Sequence, residues 1–404
     1  MGNIYNRTVI NEIVKYLKTD DIIVLHGARQ VGKTTILFYL REKLEKEGEI
    51  THFIDLEDSR FVRILDRGVD EFIDHLKEEG VLSAGKKKFF IFIDEIQYLA
   101  DPSSFLKLIA DHHKNLKLII SGSSTFAIKT KFKDSLVGRT VNFEIFGLSF
   151  REFLVFKKIT FVPDKVITQK KIEDLKRKFR EYLLYGGYPK IVLTPEIEKK
   201  EKYLQQIIDT YVKKDIRDLA NVKDIDKFNK LIETLASQSG QMLNVTELSN
   251  TTRIAKQTIE RYLFILENTY ILKLVRPYSR NIRTELFKLP KIYFYDTGLM
   301  QMLWLKGLQK ELPGSVFETG IFSELVKKYN QEAVYYWRTK DKREIDFILK
   351  RRDKLLPIEV KLNFEQFNPS AINYFKKNYG LKKFKIVSLR GRPKDSNYCY
   401  PWDL

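Results

Sequence analysis

Apolar positions along the chain come in two rhythms. Short apolar runs at 22–25 and 89–93 and LKLII at 116–120, together with ITHFIDL (50–56) and TVNFEIF (140–146), are bounded by turn residues and read as strands. The first two are apolar throughout and the third is interrupted only by Lys117, as expected of parallel strands covered on both faces. Segments with helical spacing separate the five, which predicts a doubly wound parallel α/β sheet over residues 1–158. From 170 onward helical periodicity runs to Tyr185, breaks at Gly186-Gly187 ahead of Tyr188-Pro189, then resumes to about 222. The glycine pair reads as a helix stop, with a hinge as the alternative. Over 223–298, three short amphipathic helices precede the strand patterns ILKLVRPYS and KIYFYD, the order of a winged helix-turn-helix with SRNIRTELFKLP as its wing. The remainder, 299–404, opens on a helix (VFETGIFSELVKKY) and continues into REIDFIL and PIEVKL, which alternate apolar and charged residues as half-buried strands do.

Chemistry attaches to the ends of the predicted strands. Gly27-Ala28-Arg29-Gln30-Val31-Gly32-Lys33-Thr34 matches G-x-x-x-x-G-K-[ST] and stands between a strand and a helix that begins with Thr34-Thr35. Glycines at its two ends let backbone N–H groups turn inward around phosphate. Lys33 would reach the β- and γ-phosphates, Thr34 would offer its hydroxyl to Mg²⁺, and the helix amino end would face the anion. Asp94 and Glu95 follow the third strand, where open α/β sheets place their ligands. Asp94 is expected in the Mg²⁺ shell and Glu95 as the base for an attacking water, a pairing that points to ATP hydrolysis. Ser121 and Ser123, at the end of the next strand, are candidates for touching the γ-phosphate or the water, or for an ordinary serine-rich turn.

The order phosphate loop, hydrophobic-DE, SGSS, SLVGR, LSFREFL and YGGYP resembles the AAA-type ATPases of archaea and bacteria that carry a C-terminal domain of unknown function. The resemblance implies a sheet with the phosphate-loop strand central, a small helical lid over 159–222, and nucleotide at a subunit boundary of a homo-oligomer. It also implies that Arg139, in SLVGR, acts on a neighbouring subunit's nucleotide, with Arg63 and Arg217 as rivals. In the last segment, Asp346 followed by Glu359-Val360-Lys361 resembles the restriction-endonuclease-like fold. By that resemblance Asp346 and Glu359 hold a divalent metal, Glu318 completes its shell, and Lys361 positions water. Two strands with solvated charges are the plainer reading.

Composition adds a partner. A net charge of +19 favours a polyanion, and DNA in particular if the winged helix is used in the usual way. Lys256, Gln257, Thr258 and Arg261 would face outward from the third helix, while Arg276, Arg280 and Arg283 in the wing would meet the sugar-phosphate backbone. A single cysteine excludes an internal disulfide and fits a reducing cytosol. Four methionines beside abundant Lys, Glu and Ile lean towards a heat-adapted source. No apolar run approaches membrane-spanning length, so a soluble cytoplasmic protein without a membrane partner is expected.

Overall fold

The computed structural model describes residues 7–82, 88–122, 136–161, 168–216, 221–279 and 289–404. It divides into two compact units, Met1–Phe146 and Gly147–Leu404.

In the first unit the described elements run α1 (Thr8–Ile13), β1 (Ile22–Gly27), α2 (Lys33–Lys46), β2 (Ile50–Asp55), α3 (Ser59–Asp66), α4 (Val69–Glu78), β3 (Phe89–Asp94), α5 (Pro102–His112), β4 (Leu116–Gly122) and β5 (Thr140–Ile145). The five strands form one sheet in the order β2-β3-β4-β1-β5, every pairing parallel. β1, β3 and β4 are buried from end to end, which is why they are predominantly apolar, with Lys117 of β4 buried among them. The outer strands β2 and β5 are only half-buried and tolerate Thr, His, Asn and Glu. The phosphate-loop strand β1 is thus interior, between β4 and β5. β4 in turn separates it from β3, so residues at the carboxyl end of β4 stand between the two chemical motifs.

The second unit contains α6 (Phe150–Phe156), α7 (Gln169–Tyr185), α8 (Pro189–Leu193), α9 (Ile197–Ile207), a π-helical stretch (Ile208–Asp215), α10 (Ile225–Ser237), α11 (Val245–Thr252), α12 (Lys256–Asn268), β6 (Leu272–Val275), β7 (Lys291–Phe294), α13 (Thr297–Leu305), α14 (Gly314–Tyr329), β8 (Val334–Arg338), β9 (Glu344–Arg351), β10 (Lys354–Asn363), α15 (Ser370–Tyr379), β11 (Lys385–Arg390) and β12 (Tyr398–Cys399). The three later segments, expected over 159–222, 223–298 and 299–404, fall within this one compact unit. The reason is long-range packing that no local pattern announces. LSFREFL supplies a capping box, Ser149 with Glu152, at the start of α6, and the Phe150 N–H donates to Glu324 of α14 at 3.1 Å. Tyr182 of α7 also donates to Glu324, at 2.6 Å.

Gly186-Gly187 is a helix stop held in place by its surroundings. Gly186 takes φ 82°, a Cβ there would lie 2.2 Å from Asp296 Oδ1, and the Gly187 N–H donates to Asp296 Oδ2 at 2.7 Å. Asp296 also accepts from the Leu299 N–H at 2.9 Å as the N-cap of α13. Burial pushes its carboxyl upward, and these backbone donors oppose the shift.

β6 and β7 pair antiparallel, Leu272 opposite Phe294. On the other side of β7, Gly240 donates to the Ile292 carbonyl at 2.7 Å and Ile292 to the Gln241 carbonyl at 3.0 Å, so the link between α10 and α11 joins the same small sheet. After β6 the chain bridges in parallel to β8 through Pro277 and Tyr336, which ties this segment to the last sheet. That sheet has the order β12-β11-β10-β9-β8, antiparallel across β8/β9 and β9/β10 and parallel across β10/β11 and β11/β12. α15 covers one face through Ile372 and Phe375 against Trp337, Ile345 and Ile348. On the other, Phe322 of α14 and Tyr293 of β7 meet Phe347. With helices on both sides, β9 is buried from Ile345 to Leu349, which corrects the half-buried strand expected from its alternation. Cys399, the chain's single cysteine, is buried in β12, and burial pushes its thiol up to about 11.

Among the described residues, no helix is long and apolar enough to cross a membrane.

Candidate functional site

The phosphate loop, Gly27 to Thr34, joins the carboxyl end of β1 to the amino end of α2 and is built from an unusual backbone. Gln30 has φ 61° and Gly32 φ 97°, both in the left-handed region. For Gln30, which carries a Cβ, this costs roughly 1 kcal/mol or more. At Gly27 the constraint is space, since a Cβ would sit 2.0 Å from the Ile145 carbonyl oxygen of β5. Ala28 and Val31 are buried, Arg29 is half-buried and Gln30 is exposed. Thr34 and Thr35 occupy the first turn of α2, half-buried and exposed respectively.

Lys33 is buried, and its ammonium donates to the carbonyls of Ala28 (2.8 Å) and Gly27 (3.2 Å). Burial pushes it down to about 8, opposed by Glu95 and Asp94, in that order. A phosphate would replace those carbonyls as a partner and restore the charged form. The free protein loses this proton above about pH 8 and the phosphate-bound form keeps it, so binding there takes up a proton. Nucleotide affinity should therefore be flat from pH 6.5 to 7.5 and weaken by up to about tenfold per pH unit above about 8. Titration calorimetry in buffers of different ionisation enthalpy checks this, and an unchanged affinity at pH 9.5 would contradict it.

Asp94 ends β3. Register places Ile93 beside Ile120, so the next pair brings Asp94 against Ser121, whose hydroxyl donates to Asp94 Oδ1. The Glu95 N–H donates to the same oxygen at 3.1 Å. Ser121 is fully buried and holds Asp94, beside the position expected of the γ-phosphate or the water. Ser123 lies outside the described residues. Glu95 has φ 55°, a strained value for a non-glycine residue beyond a strand end. Its carboxylate accepts from the Gln97 side-chain amide, a contact the sequence reading missed. Asp94 and Thr34 are oxygen donors of the type Mg²⁺ takes, and Ser121 and the Glu95 N–H fix one Asp94 oxygen, so this donor set fits that ion.

Arg139 stands immediately before β5, and its carbonyl accepts from the Ile22 N–H at 2.8 Å. It is therefore at the amino edge of the sheet, a strand's length, roughly 20 Å, from the phosphate loop of its own chain. Its guanidinium pairs with Asp111 at 2.8 and 3.1 Å. Of its rivals, Arg63 donates to the Ser59 carbonyl at 3.4 Å within α3, and Arg217 lies outside the described residues.

In the second unit Asp346 and Glu359 are 8% and 4% exposed, so they are not the solvated pair of the plainer reading. The Lys361 ammonium lies between them, 3.1 Å from Asp346 and 2.9 Å from Glu359, and the Val360 N–H donates to Asp346 at 2.7 Å. Glu318 accepts from Tyr293 at 2.5 Å and pairs with Lys291 at 3.4 Å, and Lys291 reaches Glu344 at 2.5 Å. Lys291, from β7, thus brings a buried cation to the cluster beside the half-buried Lys361, which its sequence context did not signal. Burial, then Asp346, raise Glu359 despite the adjacent lysine. Among the described residues no group of three His, Cys, Asp or Glu side chains is arranged to hold a metal. Removing one member of such a buried pair strands the others. Lys361→Met should cost the second unit about 3 kcal/mol. All three tryptophans, Trp304, Trp337 and Trp402, lie in that unit, so tryptophan fluorescence of the full chain during unfolding reads it directly. An unchanged transition would make the cluster a surface feature.

On α12, Lys256, Gln257 and Arg261 are exposed and Thr258 is half-buried, while Ile259, Leu263 and Ile265 are buried. Phe264, 56% exposed, extends the same outer face. Arg276 is exposed at the end of β6. Arg280 and Arg283, with most of the expected wing, lie outside the described residues.

Comparison with known proteins fits this geometry. Residues 19–154 match the family model described as an AAA domain. With its phosphate-loop motif and all-parallel five-stranded sheet, this stretch is similar to AAA domains in sequence and in fold. Residues 176–311 and 313–398 match two models each described as a domain of unknown function, DUF8612 and DUF4143. An uncharacterized protein of Haemophilus influenzae is 27% identical over 390 residues, covering 94% of this chain and 92% of the relative. An uncharacterized protein of Methanocaldococcus jannaschii is 28% identical over 365 residues, covering 88% and 78%. Among solved structures, AMPPCP-bound DnaA from Aquifex aeolicus aligns with a TM-score of 0.30 at 15% identity, over 66% of this chain and 89% of that one.

Proposed function

We propose that this protein is a Mg²⁺-dependent ATPase that couples its nucleotide state to binding or remodelling of nucleic acid, most readily DNA. The observation that carries the enzymatic part is the grouping of Lys33, Asp94, Ser121 and Glu95 at the carboxyl ends of β1, β3 and β4. In this reading the loop N–H groups and Lys33 bind the β- and γ-phosphates, and Glu95 takes the proton of the attacking water. Thr34 and Asp94 would hold Mg²⁺, which when bound neutralises phosphate charge. Gln97 sets the resting position of Glu95 and must yield it for the reaction. Arg139 acts only on the nucleotide of a neighbouring copy, which requires its release from Asp111 and a homo-oligomer.

Support for the nucleic-acid part comes from the net charge of +19 and from the outward row on α12, set behind α11 as in a winged helix-turn-helix. The last sheet has the Asp346…Glu359-Val360-Lys361 spacing of restriction-endonuclease-like folds. The Lys361 ammonium lies between the two carboxylates, the place that resemblance gives to a water-positioning lysine, and it serves a binding role equally well. The two rival readings are an ATP-driven switch whose second unit contacts protein, and an ATP-gated metal-dependent nuclease.

ATP turnover measured with and without duplex, forked and four-way DNA tests the proposal. Stimulation that weakens steeply between low and physiological salt is expected, because phosphate contacts release counterions. Turnover indifferent to every DNA would favour the switch, and plasmid cleavage in Mg²⁺ or Mn²⁺ would favour the nuclease.

A further inference from the structure

Arg7 precedes α1 and belongs to no motif, yet it is one of the few buried charges of the first unit, 7% exposed. Its guanidinium forks. Nη1 donates to the Val31 carbonyl inside the phosphate loop at 2.9 Å, and Nη2 donates to the Phe146 carbonyl just beyond β5, also at 2.9 Å. The sequence separations, 24 and 139 residues, make this a tertiary clamp.

The chemistry of the peptide unit gives the clamp a direction. In a planar trans peptide the C=O and the following N–H point to opposite sides. Drawing the Val31 carbonyl towards Arg7 therefore turns the Gly32 N–H the other way. The loop is one that needs holding, since Gln30 and Gly32 both occupy the left-handed region and Gln30 does so at a cost. Phe146 gives the guanidinium a fixed second point, because β5 is locked to β1 from Ile22/Thr140 to Gly27/Ile145. The permanent charge of an arginine also favours a polyphosphate nearby, and in a buried site it is screened less than in water.

We propose that Arg7 is a positioning residue of the phosphate loop: by holding the Val31 carbonyl outward it presets the Gly32 N–H for the phosphates of a nucleoside di- or triphosphate. This rests on the ATPase reading and extends it to a residue outside every motif. Because the two bonds of the fork set the backbone of the loop, the role is in ground-state binding and not in the chemical step.

The test compares wild type with Arg7→Lys and Arg7→Gln as full chains. Lysine keeps the charge but lacks the planar fork, so it cannot serve both carbonyls at once. Affinities for ADP and ATP should weaken together by about tenfold in Arg7→Lys, the scale of one charge-assisted hydrogen bond, and further in Arg7→Gln. At saturating ATP, kcat should stay within about threefold of wild type, while KM rises with Kd. The melting temperature measured without nucleotide separates this from a scaffold role. A folded variant with wild-type nucleotide affinity overturns the proposal, and so does a variant whose melting temperature drops while its affinity for ADP stays intact. A fall in kcat with KM unchanged overturns it too, by moving Arg7 into the chemical step. Should Arg7→Gln not fold, Arg7→Lys decides alone. Wild-type protein that binds neither ADP nor ATP would sink the ATPase reading itself, and this inference with it; binding by wild type with no response to Arg7 sinks only the inference.

Discussion

Glu95→Gln should bind ATP with close to wild-type affinity and turn it over about 10²–10⁴ times more slowly, the usual contribution of a positioned general base. The amide keeps the size of the side chain but cannot take the proton of water. Binding should survive because the phosphate cradle is made by the loop backbone and Lys33, and Glu95 enters it only through charge. The φ of 55° at Glu95 is a backbone property, so the amide inherits the same strain and the fold is unaffected. Equilibrium binding of a fluorescent ATP analogue, set beside single-turnover hydrolysis, separates the two effects. Equal hydrolysis by both proteins would remove Glu95 from the chemical step and leave the water without a base on β3.

The second large effect is on stability. Gly27→Ala should destabilise the first unit by about 3 kcal/mol or more, the upper end of what overpacking costs, because the new methyl meets a backbone carbonyl and not a mobile side chain. For a unit of this size that lowers the melting temperature by roughly 10 °C. Gly48→Ala provides the contrast. Gly48 has φ 79° but nothing within 4 Å of an added Cβ, so only the conformational cost, about 1 kcal/mol, should appear. Scanning calorimetry of the full chain measures both. Equal shifts would mean that the sheet can part at Ile145 and that the close approach of β5 to the loop is not fixed.

What could be read from the sequence follows the range of the interactions involved. The phosphate loop was legible because its function is local: two glycines, a lysine and a threonine in eight consecutive residues state both backbone and chemistry. Asp94 and Glu95 were legible because an apolar strand fixes which end faces ligand. The bond from Ser121 to Asp94 was not legible, since it depends on the register of β3 against β4. Arg7 carried no signal at all, its two carbonyl partners lying 24 and 139 residues away. The same limit hid Asp296, whose cost of burial is met by the Gly187 N–H 109 residues earlier, and it hid the fusion of the lid, three-helix and final segments into one unit. Alternation misled at β9 because a strand with charged residues looks half-exposed until helices are known to cover both its faces.

Cys399 has a practical consequence for anyone wishing to watch this molecule work. Its thiol is shut inside β12 and held up to about 11, so at neutral pH almost none is thiolate and maleimide reagents should find it only slowly. The natural chain is thus a nearly silent background for site-directed labelling. A cysteine placed at Gln257, on the exposed side of α12, would be the one fast-reacting thiol. A dye there would report whether nucleic acid, the proposed partner, approaches this face.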